Sequence, residues 1–137
     1  MSTVNWNEKG IECLEAEKYE EALQAFNEAL KISPESAEVW SYKGYSLEKL
    51  DRFEEALTAY DRALDIDNKN SKIWAKKAMV LISLKKYEEA LKVYDHLTKL
   101  FPDSEELWFC KGLCLYSMGK TEEAQKAFKN GRIMNLL

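Results

Sequence analysis

The residues of this 137-residue chain able to do chemistry are few. There is one histidine, His96, and the three cysteines are Cys13, Cys110 and Cys114. Cys110 and Cys114 stand one helical turn apart and could offer two soft ligands to a metal. An odd count at spacings that match no zinc pattern or disulfide framework reads instead as free thiols packed as small hydrophobes. His96 has no serine or cysteine nucleophile at a motif spacing, and no glycine-rich phosphate loop is present. Glutamate pairs recur at Glu20-Glu21, Glu54-Glu55, Glu88-Glu89 and Glu122-Glu123. Each pair falls where a helix would begin, and carboxylates there favour the positive end of the helix dipole. The expectation is a non-enzyme with no catalytic residues, no cofactor and no metal.

Those glutamate pairs are one strand of a wider periodicity. Trp6, Trp40, Trp74 and Trp108 stand 34 residues apart and are the only tryptophans. Four positions after each comes a small residue: Gly10, Gly44, Ala78 and Gly112. Ala22, Ala56, Ala90 and Ala124 recur at the same interval, each followed four residues later by a ring at Phe26, Tyr60, Tyr94 and Phe128. Apolar residues within each repeat fall at helical spacing in two runs, so each repeat reads as two amphipathic helices. Ser2, Ser36, Asn70 and Ser104 precede the first helices and are N-cap types. Pro34 and Pro102 close the first and third repeats, with Asn68 in that place in the second. Eight helices are expected, over 3–16, 19–32, 37–50, 53–66, 71–84, 87–100, 105–118 and 121–134. Gly10 and Ala22 would let helix backbones approach, with Trp6 and Phe26 filling the space beside them.

The pattern W-x3-[G/A], A-x3-[F/Y], then proline within 34 residues resembles the tetratricopeptide repeat. The resemblance covers repeats 3–36, 37–70, 71–104 and 105–137, read as one domain over 1–137. It implies an all-α fold, a right-handed superhelical α-solenoid of four helix–turn–helix repeats. It also implies a binding scaffold, with the first helices lining a concave groove. Carried onto this sequence, that face holds Val4, Asn7, Ile11 and Leu14 in repeat one. Repeat two supplies Glu38, Ser41, Tyr42, Tyr45 and Glu48, and repeat three Lys72, Ala75, Lys76, Met79 and Ile82. Repeat four supplies Glu106, Phe109, Cys110, Leu113 and Tyr116. Tyr45, Met79, Phe109, Leu113 and Tyr116 form an apolar wall suited to peptide side chains, with Lys72 and Lys76 available for a carboxylate. The competing reading of each ring is packing between adjacent first helices. Chaperone-binding members hold a client's terminal carboxylate with a clamp of Lys, Asn and Arg. Here only Lys72 matches it: Asn7, Ile11 and Tyr42 depart, and Lys76 in place of Arg loses the bidentate fork.

The last repeat turns polar where the others are apolar. Tyr19, Phe53 and Tyr87 become Thr121, and Leu23, Leu57 and Leu91 become Gln125. Leu30 and Leu64 give way to Thr98 and then Arg132. Such a face suits a terminal repeat, although Ile133, Met134, Leu136 and Leu137 leave an apolar tail that could meet another chain.

Composition bounds the partners. A net charge of −4 argues against nucleic acid, and no apolar run approaches the ~18 residues of a membrane span. The opening MSTVNWNEKG has neither a basic nor an apolar signal region, so no secretory signal is expected, and free thiols have their natural setting in a reducing cytoplasm. A protein or peptide partner is the leading expectation, and a homo-oligomer built through the groove or tail is the alternative.

Overall fold

A polar side chain opens every first helix by taking an otherwise orphaned backbone N–H. Asn5 accepts from Glu8 N at 3.1 Å, Ser36 from Val39 N at 3.3 Å, Asn70 from Ile73 N at 3.2 Å and Ser104 from Leu107 N at 3.3 Å. The structure, a computed structural model, describes residues 4–136, with side chains as far as Arg132. Its eight helices are α1 (Trp6–Glu15), α2 (Tyr19–Ile32), α3 (Ala37–Lys49), α4 (Phe53–Ile66), α5 (Ser71–Ser83), α6 (Tyr87–Leu100), α7 (Glu105–Ser117) and α8 (Thr121–Leu136). Three of the four expected caps do cap. The fourth, Ser2, lies outside the described residues, and α1 starts three residues later than expected because Asn5 caps it there.

Within a repeat the two helices are joined by a tight turn that uses one left-handed residue. Glu17, Asp51 and Lys85 have φ of 59°, 58° and 62°, and Gly119 has φ of 79°. At each turn the next N–H reaches back to a carbonyl five residues earlier. Lys18 N donates to Cys13 O at 2.8 Å, Arg52 N to Leu47 O at 2.9 Å, Lys86 N to Leu81 O at 2.8 Å and Lys120 N to Leu115 O at 2.8 Å. This is the Schellman ending, which satisfies carbonyls that a helix C-terminus leaves open.

The chain divides into two compact units, 1–73 and 74–137. In the first, α1 packs on α2, α2 on α3 and α3 on α4. Its core contains Cys13, Ala22, Phe26, Ala29, Leu30 and Val39, with Trp6, Ile11, Leu14, Trp40 and Tyr42 packed against it. In the second, α6 packs on α7 and α7 on α8. Leu115, Ala124 and Ala127 are buried there against Leu91, Trp108 and Phe128. The small signature residues serve the rings rather than the backbones alone. A Cβ on Gly10 would come within 2.5 Å of Cε1 of Phe26, and one on Gly44 within 2.7 Å of Tyr60.

The tryptophans lie at the rim of this packing. The indole N–H of Trp40 donates to Pro34 O at 2.8 Å, and that of Trp108 to Pro102 O at 2.7 Å, which explains why the two residue types recur together. A lysine three residues on covers each indole, with Lys9, Lys43, Lys77 and Lys111 amines 5.1, 5.1, 5.3 and 5.1 Å from the ring centroids.

Of the positions expected to turn polar, Thr121, Gln125 and Arg132 are exposed. Thr98 differs: it is buried, because its hydroxyl donates to Tyr94 O at 2.8 Å and so hides its polarity in its own helix. The side chains of the tail residues Ile133, Met134, Leu136 and Leu137 lie outside the described residues.

Candidate functional site

A helix whose apolar side chains all found partners would leave only polar groups in water. The helix α7 does not follow that rule. Its Cys110, Cys114 and Leu115 are buried, whereas Phe109, Leu113 and Tyr116 remain 53%, 38% and 64% exposed. Those three lie at i, i+4 and i+7, one stripe along the helix. Met79 of α5, 48% exposed, reaches α7 through its sulfur, 3.9 Å from Sγ of Cys110. The stripe is therefore continued by a flexible thioether from a second helix.

The other expected groove residues are placed differently. Ile11 and Tyr42 are half-buried against the first unit's core, and Tyr42 stacks on Phe26 with centroids 5.4 Å apart and planes 13° from parallel. Burial, with Glu38 beside it, pushes the Tyr42 phenol above its ordinary pKa. Ser41 and Ile82 are half-buried. Tyr45 is half-buried too, with the Lys49 amine 5.4 Å from its ring centroid. Asn7 lines a cleft of about 500 Å³ with Val4 and Ile32, and its amide oxygen is buried without a hydrogen-bond partner. Lys72 and Lys76 are exposed on α5.

One feature of the second unit was not anticipated from sequence. A cleft of about 1180 Å³ opens between α7 and α8. Its apolar floor is Phe109 against Phe128, rings 5.6 Å apart. Glu105, Glu106 and Glu122 supply acidic groups to its rim, and Lys126, Lys129 and Arg132 basic ones. The available signal was the polar switch at Thr121 and Gln125, which leaves this side of α8 without apolar cover.

Among the described residues no group of three or more His, Cys, Asp or Glu converges in a way that could hold a metal ion. His96 is exposed on α6. No helix among the described residues is long and apolar enough to cross a membrane.

Comparison with known proteins accounts for this helical arrangement. Two sequence profiles of the tetratricopeptide repeat match the chain, over residues 7–71 and 47–109. The chain belongs to the tetratricopeptide-repeat family. Solved structures with the same all-helical solenoid fold include MamA, at TM-score 0.88 and 19% identity over 94% of this chain and 75% of that one. MamA 41-end from Desulfovibrio magneticus RS-1 superposes at TM-score 0.89 with 22% identity, covering 95% of this chain and 73% of its own. YrrB, described as a TPR protein with an unusual peptide-binding site, superposes at TM-score 0.88 with 21% identity over 95% of this chain and 67% of that one. Identities this low establish a shared fold. No curated protein matches.

Proposed function

We propose that this tetratricopeptide-repeat protein is a non-enzymatic interaction scaffold that binds a peptide segment of a partner protein on the free faces of its first helices. The observation that carries the reading is the stripe Phe109–Leu113–Tyr116 on α7, extended by Met79. Large apolar side chains left in water at consecutive turns mark a surface that gains free energy when covered. An amphipathic helix or an extended segment with regularly spaced apolar anchors fits such a row. Lys72 and Lys76, exposed one turn apart on α5, would favour acidic residues in the segment. Ile82, half-buried in the same unit as the stripe, would contribute an edge rather than an anchor, and in the first unit the half-buried Asn7, Ile11, Ser41, Tyr42 and Tyr45 would be that unit's own groove residues. The described peptide-binding site of the similar YrrB structure supports a peptide ligand. The acidic net charge favours a protein over nucleic acid, and the free thiols suit a reducing cytoplasm.

The test is capture of interacting proteins by the chain and by a Phe109→Ala/Tyr116→Ala variant, followed by direct binding of any captured segment as a synthetic peptide. A segment bound by the wild type should bind the double variant at least tenfold more weakly. Equal affinity for both proteins would remove the stripe from the reading.

A second reading, self-association, draws on the α7/α8 cleft. Its rim carries both signs of charge, so two copies related by a twofold axis could set acid against base over the Phe109–Phe128 floor. Light scattering over a wide concentration range decides it. A dimer abolished by reversing Lys126 and Lys129 to Glu supports self-association, and a monomer throughout ends it.

A further inference from the structure

The second unit brings sulfur-bearing side chains together, and the Cys110 thiol donates to the Met79 thioether. Cys110 and Cys114 are buried free thiols one turn apart on α7, and Met79 of α5 places a third sulfur 3.9 Å from Sγ of Cys110. Beside them stands Tyr94 of α6, only 1% exposed, whose hydroxyl has no hydrogen-bond partner. The Cys110 thiol adjoins that phenol. One repeat earlier the equivalent phenol is satisfied: Tyr60 donates to Glu48 Oε1 at 3.3 Å. At the position equivalent to Glu48 the third repeat has Ile82, so Tyr94 is left with sulfur for a neighbour. A buried donor without an acceptor is costly and calls for a reason.

We propose that Met79, Cys110 and Cys114 form a three-sulfur site for a soft monovalent cation of the Cu(I) class, with Tyr94 as the donor that steadies the Cys110 sulfur. Thiolate and thioether are the ligands such an ion prefers. A metal–sulfur bond of about 2.3 Å in a trigonal arrangement sets sulfurs ~4 Å apart, and the Cys110–Met79 separation of 3.9 Å already has that value. Residues at i and i+4 of a helix have Cβ atoms about 5–6 Å apart, so the proposed site requires the Cys114 sulfur to turn toward that point. Zinc would want a fourth ligand and a tetrahedral shell. The half-exposed Met79 gives the ion a way in, and its thioether carries no proton to displace.

Two thiols each release a proton to solvent, two sulfur–metal bonds form, and the thioether adds a third without change of charge. The ion keeps its oxidation state. The site then holds one net negative charge, and the Tyr94 hydroxyl donates to the Cys110 thiolate, gaining the acceptor it lacks.

The experiment is an anaerobic titration of the reduced full chain with Cu(I) held by a competing chromogenic chelator, with Ag(I) as a second probe. One ion per chain is expected, with an ultraviolet sulfur-to-copper band and a raised melting temperature. Cys13→Ser should bind as wild type does, and Cys110→Ser and Cys114→Ser should not bind. Because Cys114 is fully buried, two milder variants carry the test if that one fails to fold. Met79→Leu conserves volume, and it and Tyr94→Phe should each weaken binding at least tenfold, as losses around a metal centre do. Absence of stoichiometric binding by the wild type, or binding that survives Cys110→Ser, overturns the site. Unchanged affinity in Met79→Leu or Tyr94→Phe removes the role assigned to that residue.

Discussion

At Gly44 the difference between a hydrogen and a methyl group decides whether a ring fits. A Cβ there would lie 2.7 Å from Cε1 of Tyr60, itself fully buried and anchored to Glu48. Alanine would gain up to ~1 kcal/mol of helix propensity, but overpacking a filled core costs about 1–3 kcal/mol. Gly44→Ala should therefore lower stability in a urea titration, and Gly44→Val should lower it further. The buried thiols and phenols set a second expectation. The pKa values of Cys110, Cys114, Tyr60 and Tyr94 are all raised, chiefly by burial. Above the unfolded values the unfolded chain loses protons that the folded chain keeps, so stability falls as pH rises. The decline should begin near pH 9 and continue past pH 10, at up to ~1.4 kcal/mol per pH unit for each such group. Melting temperatures from pH 7 to 11 in a cysteine-free variant and the wild type would separate thiols from phenols.

Among the elements, the turn between paired helices carries the most information that sequence pattern did not disclose. Eight helices were legible because their apolar spacing, caps and glutamate pairs are local and recur four times. The left-handed residue at each turn was not, because three of the four are Glu17, Asp51 and Lys85 rather than glycine. Gly119 alone carries the usual signal. Side chains at such φ are strained by roughly 1–2 kcal/mol. Glu17→Gly and Lys85→Gly should each stabilise the chain by up to ~1 kcal/mol after the entropy loss of glycine. Asp51→Gly should gain less, since aspartate tolerates this conformation, and Gly119→Ala should cost about 1 kcal/mol. Chemical denaturation of the four variants checks the series. The helix α1 starts at Trp6 rather than at residue 3 because Asn5, off the 34-residue period, supplies the cap by accepting from Glu8 N.

At the scale of the whole molecule, the stripe on α7 divides residues that build the fold from residues left over by it. Leu113→Ala and Tyr116→Ala should change stability by no more than ~0.5 kcal/mol, as surface substitutions do. Phe26→Ala, which empties a fully buried site, should cost about 3–5 kcal/mol. Scanning calorimetry of the three variants makes the comparison. A cost above ~2 kcal/mol at Tyr116 would mean that the ring serves packing rather than docking. What the sequence alone determined was the repeat, its eight helices and the rings that fill each core, because every one of those features rests on spacing within 34 residues. Tertiary structure decided which of the remaining side chains stay in water. Tyr42 and Tyr116 are the same residue type on first helices of two repeats, yet one is stacked on Phe26 and the other is 64% exposed. Thr98 hides its hydroxyl, three sulfur-bearing residues cluster beside an unsatisfied phenol, and a cleft opens beside Phe128. Each outcome depends on a neighbour or on the absence of one, and burial is set by what packs against a side chain rather than by the residue itself.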